Sequence, residues 1–134
     1  MQMNEIQDQI INTFSILPGR FEQYNYLVDC ACKLEPLDEV YKTESYALSG
    51  CESQVWIYEE NKQGRILFKA DSDSILIRGI LFLLLKVLNG QSKENIINAD
   101  LYFLKQTGLS VNLSPARKLG IDTIVKEMKS RISD

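Results

Sequence analysis

The chain has 134 residues, of which 45% are hydrophobic and 25% are charged, and this predicts one soluble globular domain over residues 1–134. A net charge of −3 provides no general attraction for nucleic acid or for anionic membranes. Histidine is absent, which removes the usual general base, the usual partner of a cysteine nucleophile and the commonest zinc ligand.

The three cysteines, Cys30, Cys32 and Cys51, are an odd number and too few for a disulfide scaffold, which suits a reducing compartment. The first residues lack the basic flank and apolar run of a secretory signal, and no stretch reaches the length of a membrane span. We therefore expect a cytoplasmic location.

Apolar residues at helical spacing predict two helices at the start of the chain. The first runs from Asn4 to about Phe14 and ends before Pro18-Gly19. The second runs from Arg20 to Leu34 and stops at Glu35-Pro36. Residues 37–50 show no sustained period, so we interpret them as a loop leading to a strand.

A β-hairpin is predicted next, because residues 55–58 and 66–68 are rich in β-branched and aromatic side chains. The polar residues 59–64 between them supply the turn. Cys51 then lies at the entry to the first strand, on a tip of small or polar residues, which are Ser49, Gly50, Glu52 and Ser53.

The rest of the chain is predicted to be helical. Asp71-Ser72-Asp73 is interpreted as an acidic N-cap of a buried helix from Ile75 to Leu88, which Asn89-Gly90 closes. Ser92 caps a short helix toward Ile97, and Ser114-Pro115 begins a last helix with a buried face of Leu119, Ile124 and Met128. This order predicts an α+β domain in which helices cover a small antiparallel sheet.

The cysteines differ in what their surroundings allow. Cys30 and Cys32 point to different faces of the second helix, so they do not easily bind one metal ion. Burial of one or both in the core is the simpler interpretation. For Cys51 the residues alone leave two interpretations open, a reactive thiol at a turn tip and a packed strand residue. A reactive Cys51 would attack the outer sulfur of a persulfide on another protein, which needs neither metal nor histidine.

Charged neighbours bear on that thiol. Glu52 opposes thiolate formation if its carboxylate faces the sulfur, and Arg78 or Arg117 would offset that charge if folding brings either of them near. Arg117 lies in the first turn of the last helix, an unfavourable place for a cation relative to the helix dipole. We interpret it either as a residue with an assigned role or as an ordinary surface arginine.

The chain resembles the SufE family of sulfur acceptor proteins, which work with cysteine desulfurases in iron-sulfur cluster assembly. Three motifs carry the resemblance in order, and they are Ser49-Gly50-Cys51-Glu52-Ser53-Gln54-Val55-Trp56, Asp71-Ser72-Asp73 before the helix with Gly79, and Leu113-Ser114-Pro115-Ala116-Arg117 followed by Gly120. Glu52 departs from the pattern, since a neutral residue such as glutamine is expected after the cysteine.

The resemblance implies a SufE/IscU-like α+β fold in which Cys51 is the persulfide acceptor. It implies supporting or partner-binding roles for the residues around it, which are Gly50, Glu52, Ser53, Asp71, Asp73 and Arg117. The partners it implies are a SufS-like cysteine desulfurase, which the protein stimulates, and a SufB-like cluster scaffold, which receives the sulfur.

No cofactor and no metal are expected on this chain, since the pyridoxal phosphate belongs to the desulfurase, and the protein is a carrier and activator rather than an enzyme. Two alternatives stay open. One is an iron-sulfur cluster scaffold, and the other is a non-catalytic adaptor of a desulfurase complex.

Overall fold

Three strands and six helices form the part of the chain that the computed structural model describes, which is residues 2–48, 53–108 and 115–133 without the side chains of residues 115–119. The elements in chain order are α1 (Met3–Ser15), α2 (Arg20–Lys33), a 3-10 turn (Glu39–Tyr41), β1 (Val55–Lys62), β2 (Arg65–Ser72), α3 (Ile75–Leu88), β3 (Gln91–Ser92), α4 (Lys93–Ile97), α5 (Phe103–Gln106) and α6 (Pro115–Arg131). The predicted α+β class is confirmed.

The hairpin of β1 and β2 is longer than predicted and its turn is shorter. The strands pair in antiparallel register from Val55 opposite Ser72 to Lys62 opposite Arg65. Only Gln63 and Gly64 remain for the turn, with φ of 55° and 84°. A two-residue turn with positive φ at both positions matches the twist of paired strands, so pairing extends through residues that the sequence assigned to a loop.

The sheet has the order β1-β2-β3, and the short β3 pairs with β2 only at Arg65 and Ile66. Beyond that point the Asn89 side chain takes the place of a strand. Its Oδ1 accepts the Phe68 N–H at 2.8 Å and its Nδ2 donates to the Phe68 carbonyl at 3.1 Å. Asn89 therefore covers part of the β2 edge that β3 leaves open.

Helix α3 is the centre of the core, as its nearly unbroken apolar sequence predicts. Ile80, Leu81, Leu83 and Leu84 have no exposed surface, and Phe68 of β2 is 2% exposed. Gly79 lets α2 approach closely, because a Cβ at this position would overlap the Leu27 carbonyl oxygen. The helix thus packs against α2 and against the sheet.

The predicted acidic N-cap of α3 is wrong. Ser74 caps the helix, accepting the Ile77 N–H at 3.4 Å, and no acidic residue lies in the first turn. Asp71 and Ser72 instead end β2, because cross-strand pairing with β1 continues to Ser72. Both acids, Asp71 and Asp73, are then free to serve another purpose.

Other elements agree with the sequence. The helices predicted at residues 4–14 and 20–34 correspond to α1 and α2, and Ser92 caps α4 by accepting the Asn95 N–H at 3.2 Å. Cys30 is buried and Cys32 is exposed. Helix α6 begins at Pro115, and its Ile124 and Met128 are buried as predicted, whereas Ser114 and the Leu119 side chain lie outside the described residues. Helix α5 was not predicted.

Candidate functional site

The predicted site residues fall into two groups. Ser53, Asp71 and Asp73 are described, and they lie at one end of the β1-β2 hairpin. Gly50, Cys51 and Glu52 lie outside the described residues, as does the side chain of Arg117. The described part of the site consists of the residues on either side of the segment 49–52.

Both flanks of that segment are attached to the start of β1. The Leu48 N–H donates to the Val55 carbonyl at 2.9 Å, and the Ile57 N–H donates to the Tyr46 carbonyl at 3.0 Å. Ala47 forms a β-bridge with Trp56. The chain leading to the segment and the chain leaving it thus run side by side, as in a hairpin.

Gln54 is held by the end of β2. Asp73 Oδ1 accepts the Gln54 N–H at 3.0 Å, and the Asp73 N–H donates back to the Gln54 carbonyl at 3.2 Å. The same carbonyl accepts the Ser72 hydroxyl at 2.7 Å. Three hydrogen bonds therefore fix the backbone just after Ser53, and Asp73 has a role that no helix cap explains.

Asp71 is a buried carboxylate held between two cations. Lys42 Nζ lies 3.3 Å from its Oδ2, Arg78 Nε lies 3.1 Å from its Oδ1, and the Ser72 N–H donates to Oδ1 at 2.8 Å. The Asp71 side chain is only 9% exposed. The Arg78 Nε–H does not point at Oδ1 with hydrogen-bond geometry, so that contact is an ion pair held by charge alone.

Asp71, Lys42 and Arg78 form a group that we call the Asp71 cluster. Lys42 joins this cluster to the aromatic face of β1. Its Nζ lies 5.6 Å from the Trp56 ring centroid, within range of a cation–π contact. Burial disfavours the charged form of Lys42, but the hydrogen bonds and charges of Asp71 and Glu39 outweigh it and raise the pKa of Lys42. Sequence reasoning missed Lys42, and its only signal was a lone cation among the polar residues before Cys51.

Three tyrosines pack beside Trp56 on this face. The Tyr41 and Tyr58 rings stack with centroids 4.1 Å apart, and Tyr46 meets Tyr58 edge-on at 5.8 Å. Hydrogen bonds to Tyr41 and Glu60, together with burial, raise the pKa of Tyr58 to about 12. These rings extend the half-buried surface of this face of β1.

A cavity of about 450 Å³ opens between the two flanks, and its lining includes Lys42, Leu48, Ser53 and Trp56. Its walls combine an ammonium group with an aromatic ring and aliphatic side chains. Arg131 of α6 holds the base of this region, because its guanidinium donates to the carbonyls of Ile57 and Ala47. The wall of the cavity thus places the Lys42 ammonium group beside the Trp56 ring.

The described residues contain no group of three or more histidine, cysteine, aspartate or glutamate side chains that would hold a metal ion. No helix in the described ranges is both long and apolar enough to cross a membrane.

The chain belongs to the SufE family, because the model of that family, described as an Fe-S metabolism associated domain, matches residues 8–132. The protein accordingly has a role in iron-sulfur metabolism. It is similar to an uncharacterized SufE-like protein of Synechocystis, with 34% identity over 92% of this chain and 77% of that protein.

A solved structure agrees with the fold. The solution structure of a hypothetical protein from Thermus thermophilus matches with a TM-score of 0.77 and 18% identity, over 95% of this chain and 93% of that one. The resemblance deduced from the three motifs is thereby confirmed at the level of family and fold.

Proposed function

We propose that Cys51 accepts a sulfur atom from the persulfide of a cysteine desulfurase and carries it toward iron-sulfur cluster assembly. The observation that carries this proposal is that both flanks of the Cys51 segment are anchored to β1 in a chain of the SufE family. Anchored flanks limit the space that the segment explores, so they help to present a thiol to a docked partner.

The exchange needs no cofactor on this chain. The Cys51 thiolate attacks the outer sulfur of the donor persulfide, a bond forms between the two sulfurs, and the bond from that sulfur to the donor cysteine breaks. The donor leaves as a thiolate, and Cys51 becomes a persulfide, so no electron is gained or lost overall. The pyridoxal phosphate that generates the donor persulfide belongs to the desulfurase.

Charged side chains lie near both flanks of the Cys51 segment. Lys42 and Arg78 carry two positive charges against the three negative charges of Asp71, Asp73 and Glu39. Support for the chemistry therefore comes from the position of Lys42 at the wall of the cavity, where a cation favours an anionic thiolate or persulfide and counters the neighbouring Glu52. Removal of the sulfur would also stimulate the desulfurase, since it frees the donor cysteine for another turnover.

Onward transfer completes the proposal. A SufB-like scaffold protein is the proposed acceptor of the Cys51 persulfide, by the same exchange with a scaffold thiolate. We place the exchange in the cytoplasm, because an odd and small number of cysteines suits a reducing compartment.

Intact-mass spectrometry tests the acceptor role. The protein is incubated with a SufS-like desulfurase and cysteine, and we expect the mass of one sulfur to be added and then released by a reductant. Cys51→Ser should abolish the addition, whereas Cys30→Ser and Cys32→Ser should retain it. An unmodified Cys51 during desulfurase turnover would refute the proposal.

The same variants distinguish a carrier from an adaptor. If Cys51→Ser still binds the desulfurase but no longer raises its rate of alanine release, the thiol is the functional group. If Cys51→Ser stimulates the desulfurase as well as the unmodified protein does, the protein is an adaptor whose cysteine is incidental.

A further inference from the structure

A second cavity, of about 440 Å³, lies at the opposite end of α3 from Ser74 and the Asp71 cluster. It opens between the C-terminal ends of α2 and α3 and the inner side of β2. Its apolar floor comes from these three elements and includes Leu34, Phe68, Phe82 and Leu85. Because Phe82 is only partly buried, this floor keeps apolar surface available to a ligand.

Two lysines border the cavity. Lys33 comes from the last turn of α2 and Lys86 from the last turn of α3, and Glu35 is the acidic residue among the lining side chains. Lys69 of β2 also lines the cavity, but it alternates with the buried Phe68 and Ala70, so its exposed side chain is directed to the opposite face of the strand. Two positive charges and one negative charge leave +1 at the rim, on a chain whose net charge is −3. This local positive charge favours an anionic ligand.

Lys33 and Lys86 lie in the last turns of two helices that pack against each other, and both line the cavity. Burial raises the pKa of the nearby Cys30 thiol, and the charges of Lys33 and Lys86 both oppose that rise. The two ammonium groups thus provide positive charge at the rim from both helices.

The form of the cavity favours a small molecule over a peptide strand. Asn89 occupies the Phe68 N–H and carbonyl, so these groups of the β2 edge are not available to pair with an added strand. Ala70, the next lining residue facing the same way, is only 2% exposed. The volume falls within the usual range for ligand pockets, about 300–1,000 Å³.

We propose that this cavity binds a small amphipathic carboxylate, whose aliphatic tail lies on Phe82 and Leu85 and whose head group pairs with Lys33 and Lys86. The apolar floor and the cationic rim both contribute, because a carboxylate alone is strongly hydrated and an alkyl chain alone ignores the lysines. This inference does not depend on Cys51 or on sulfur transfer.

The first test follows backbone amide chemical shifts by NMR during titration with hexanoate, octanoate and decanoate below their micelle concentrations. Affinity should rise about fourfold for each added methylene that reaches the floor, from the usual transfer free energy of a buried methylene. The shifts should centre on residues 33–36, 68–70 and 82–89. Shifts spread over the whole surface, or no dependence on tail length, would overturn the proposal.

A charge reversal tests the head group. Lys86→Glu changes an exposed residue, so the fold should be retained, and its circular dichroism and melting temperature serve as the check. We expect octanoate to bind at least about tenfold more weakly to this variant and octylamine to bind more strongly than to the original chain. Lys105→Glu, an exposed lysine of α5 outside the cavity lining, is the matched control and should bind octanoate as before.

Each result bears on the proposal. Equal octanoate affinity in the Lys86→Glu and Lys105→Glu variants would show that long-range charge, and not the cavity rim, governs binding. Equal affinity of the original chain for octanoate and 1-octanol would exclude recognition of the carboxylate. Either outcome would overturn the proposal and would leave the proposed role of Cys51 untouched.

Discussion

Asp73 and Gln54 exchange two hydrogen bonds, one from the Gln54 N–H to Asp73 Oδ1 at 3.0 Å and one from the Asp73 N–H to the Gln54 carbonyl at 3.2 Å. The pair joins the residue after β2 to the residue before β1. Since Gln54 follows Cys51 by three positions, the end of the hairpin directly controls the chain leaving the cysteine segment.

Asp73→Ala removes the acceptor of the Gln54 N–H and should lower the free energy of unfolding by about 1 kcal/mol, because the bond is to a charged group but is exposed to solvent. Urea denaturation followed by circular dichroism measures the loss. Asp73→Asn retains an oxygen acceptor and is the control, with a smaller expected loss. Equal stability of Asp73→Ala and the original chain would contradict the structural role.

Gly79→Ala should be strongly destabilising, by about 2–3 kcal/mol, because the added Cβ overlaps the Leu27 carbonyl oxygen where α2 and α3 pack together. On an exposed helix position the same change would be stabilising. Denaturant unfolding measures the effect, and Lys86→Ala, an exposed change in the same helix, is the matched control. A stable Gly79→Ala protein would mean that the two helices lie further apart.

Cys30 and Cys32 should differ sharply in reactivity toward an alkylating reagent. Cys32 is exposed, whereas Cys30 is 1% exposed and burial raises the pKa of its thiol despite the Tyr26 hydrogen bond. In a Cys51→Ser background, mass spectrometry of proteolytic fragments should find Cys32 modified first and Cys30 modified only after denaturation. Comparable rates for both thiols under native conditions would contradict the burial of Cys30.

Tyr58 provides a prediction of pH dependence. Its pKa is raised to about 12 from the usual 10.0, so the folded state holds this proton more tightly than the unfolded chain does. The resulting stability is fully present below pH 10 and is lost as pH rises toward 12. Spectrophotometric titration of tyrosinate should show a component near pH 12 that Tyr58→Phe reduces.

Tyr26 is the control for that titration. Burial, followed by the charge of Cys30 and a hydrogen bond to it, raises the pKa of Tyr26 to about 12 as well. A Tyr58→Phe protein should therefore retain part of the component near pH 12, and only the double variant with Tyr26→Phe should lose most of it. If all tyrosines titrated near pH 10, the result would contradict the raised pKa values of both Tyr26 and Tyr58.

The elements that the sequence predicted well are those whose signals are local. Helices α1, α2 and α3 repeat apolar residues at helical spacing, Ser92 caps the helix that follows it, and α6 begins at Pro115. The hairpin turn and the cap of α3 were misjudged because pairing between strands decides them. The polar residues 59–62 read as a loop, yet each gains a strand partner on β2.

The candidate site likewise contains features that the sequence predicts locally and features that only tertiary pairing decides. The motifs around Cys51, Asp71 and Arg117 indicated the family from residue types alone, and the family model confirms that assignment. The pairing of Lys42 with Asp71 had no local signal, because the two residues come from separate elements that meet only after β2 aligns with β1. The cavity between α2, α3 and β2 likewise had no local signal, because it forms only where these three elements pack together.

The amino-acid sequence by itself thus determined the class of fold, the positions of the main helices and the family, because periodicity and short motifs are properties of neighbouring residues. Only the tertiary structure decided what Asp71 and Asp73 do. A carboxylate at a strand end has many potential partners, and which of them it meets depends on the packing of segments distant in the chain.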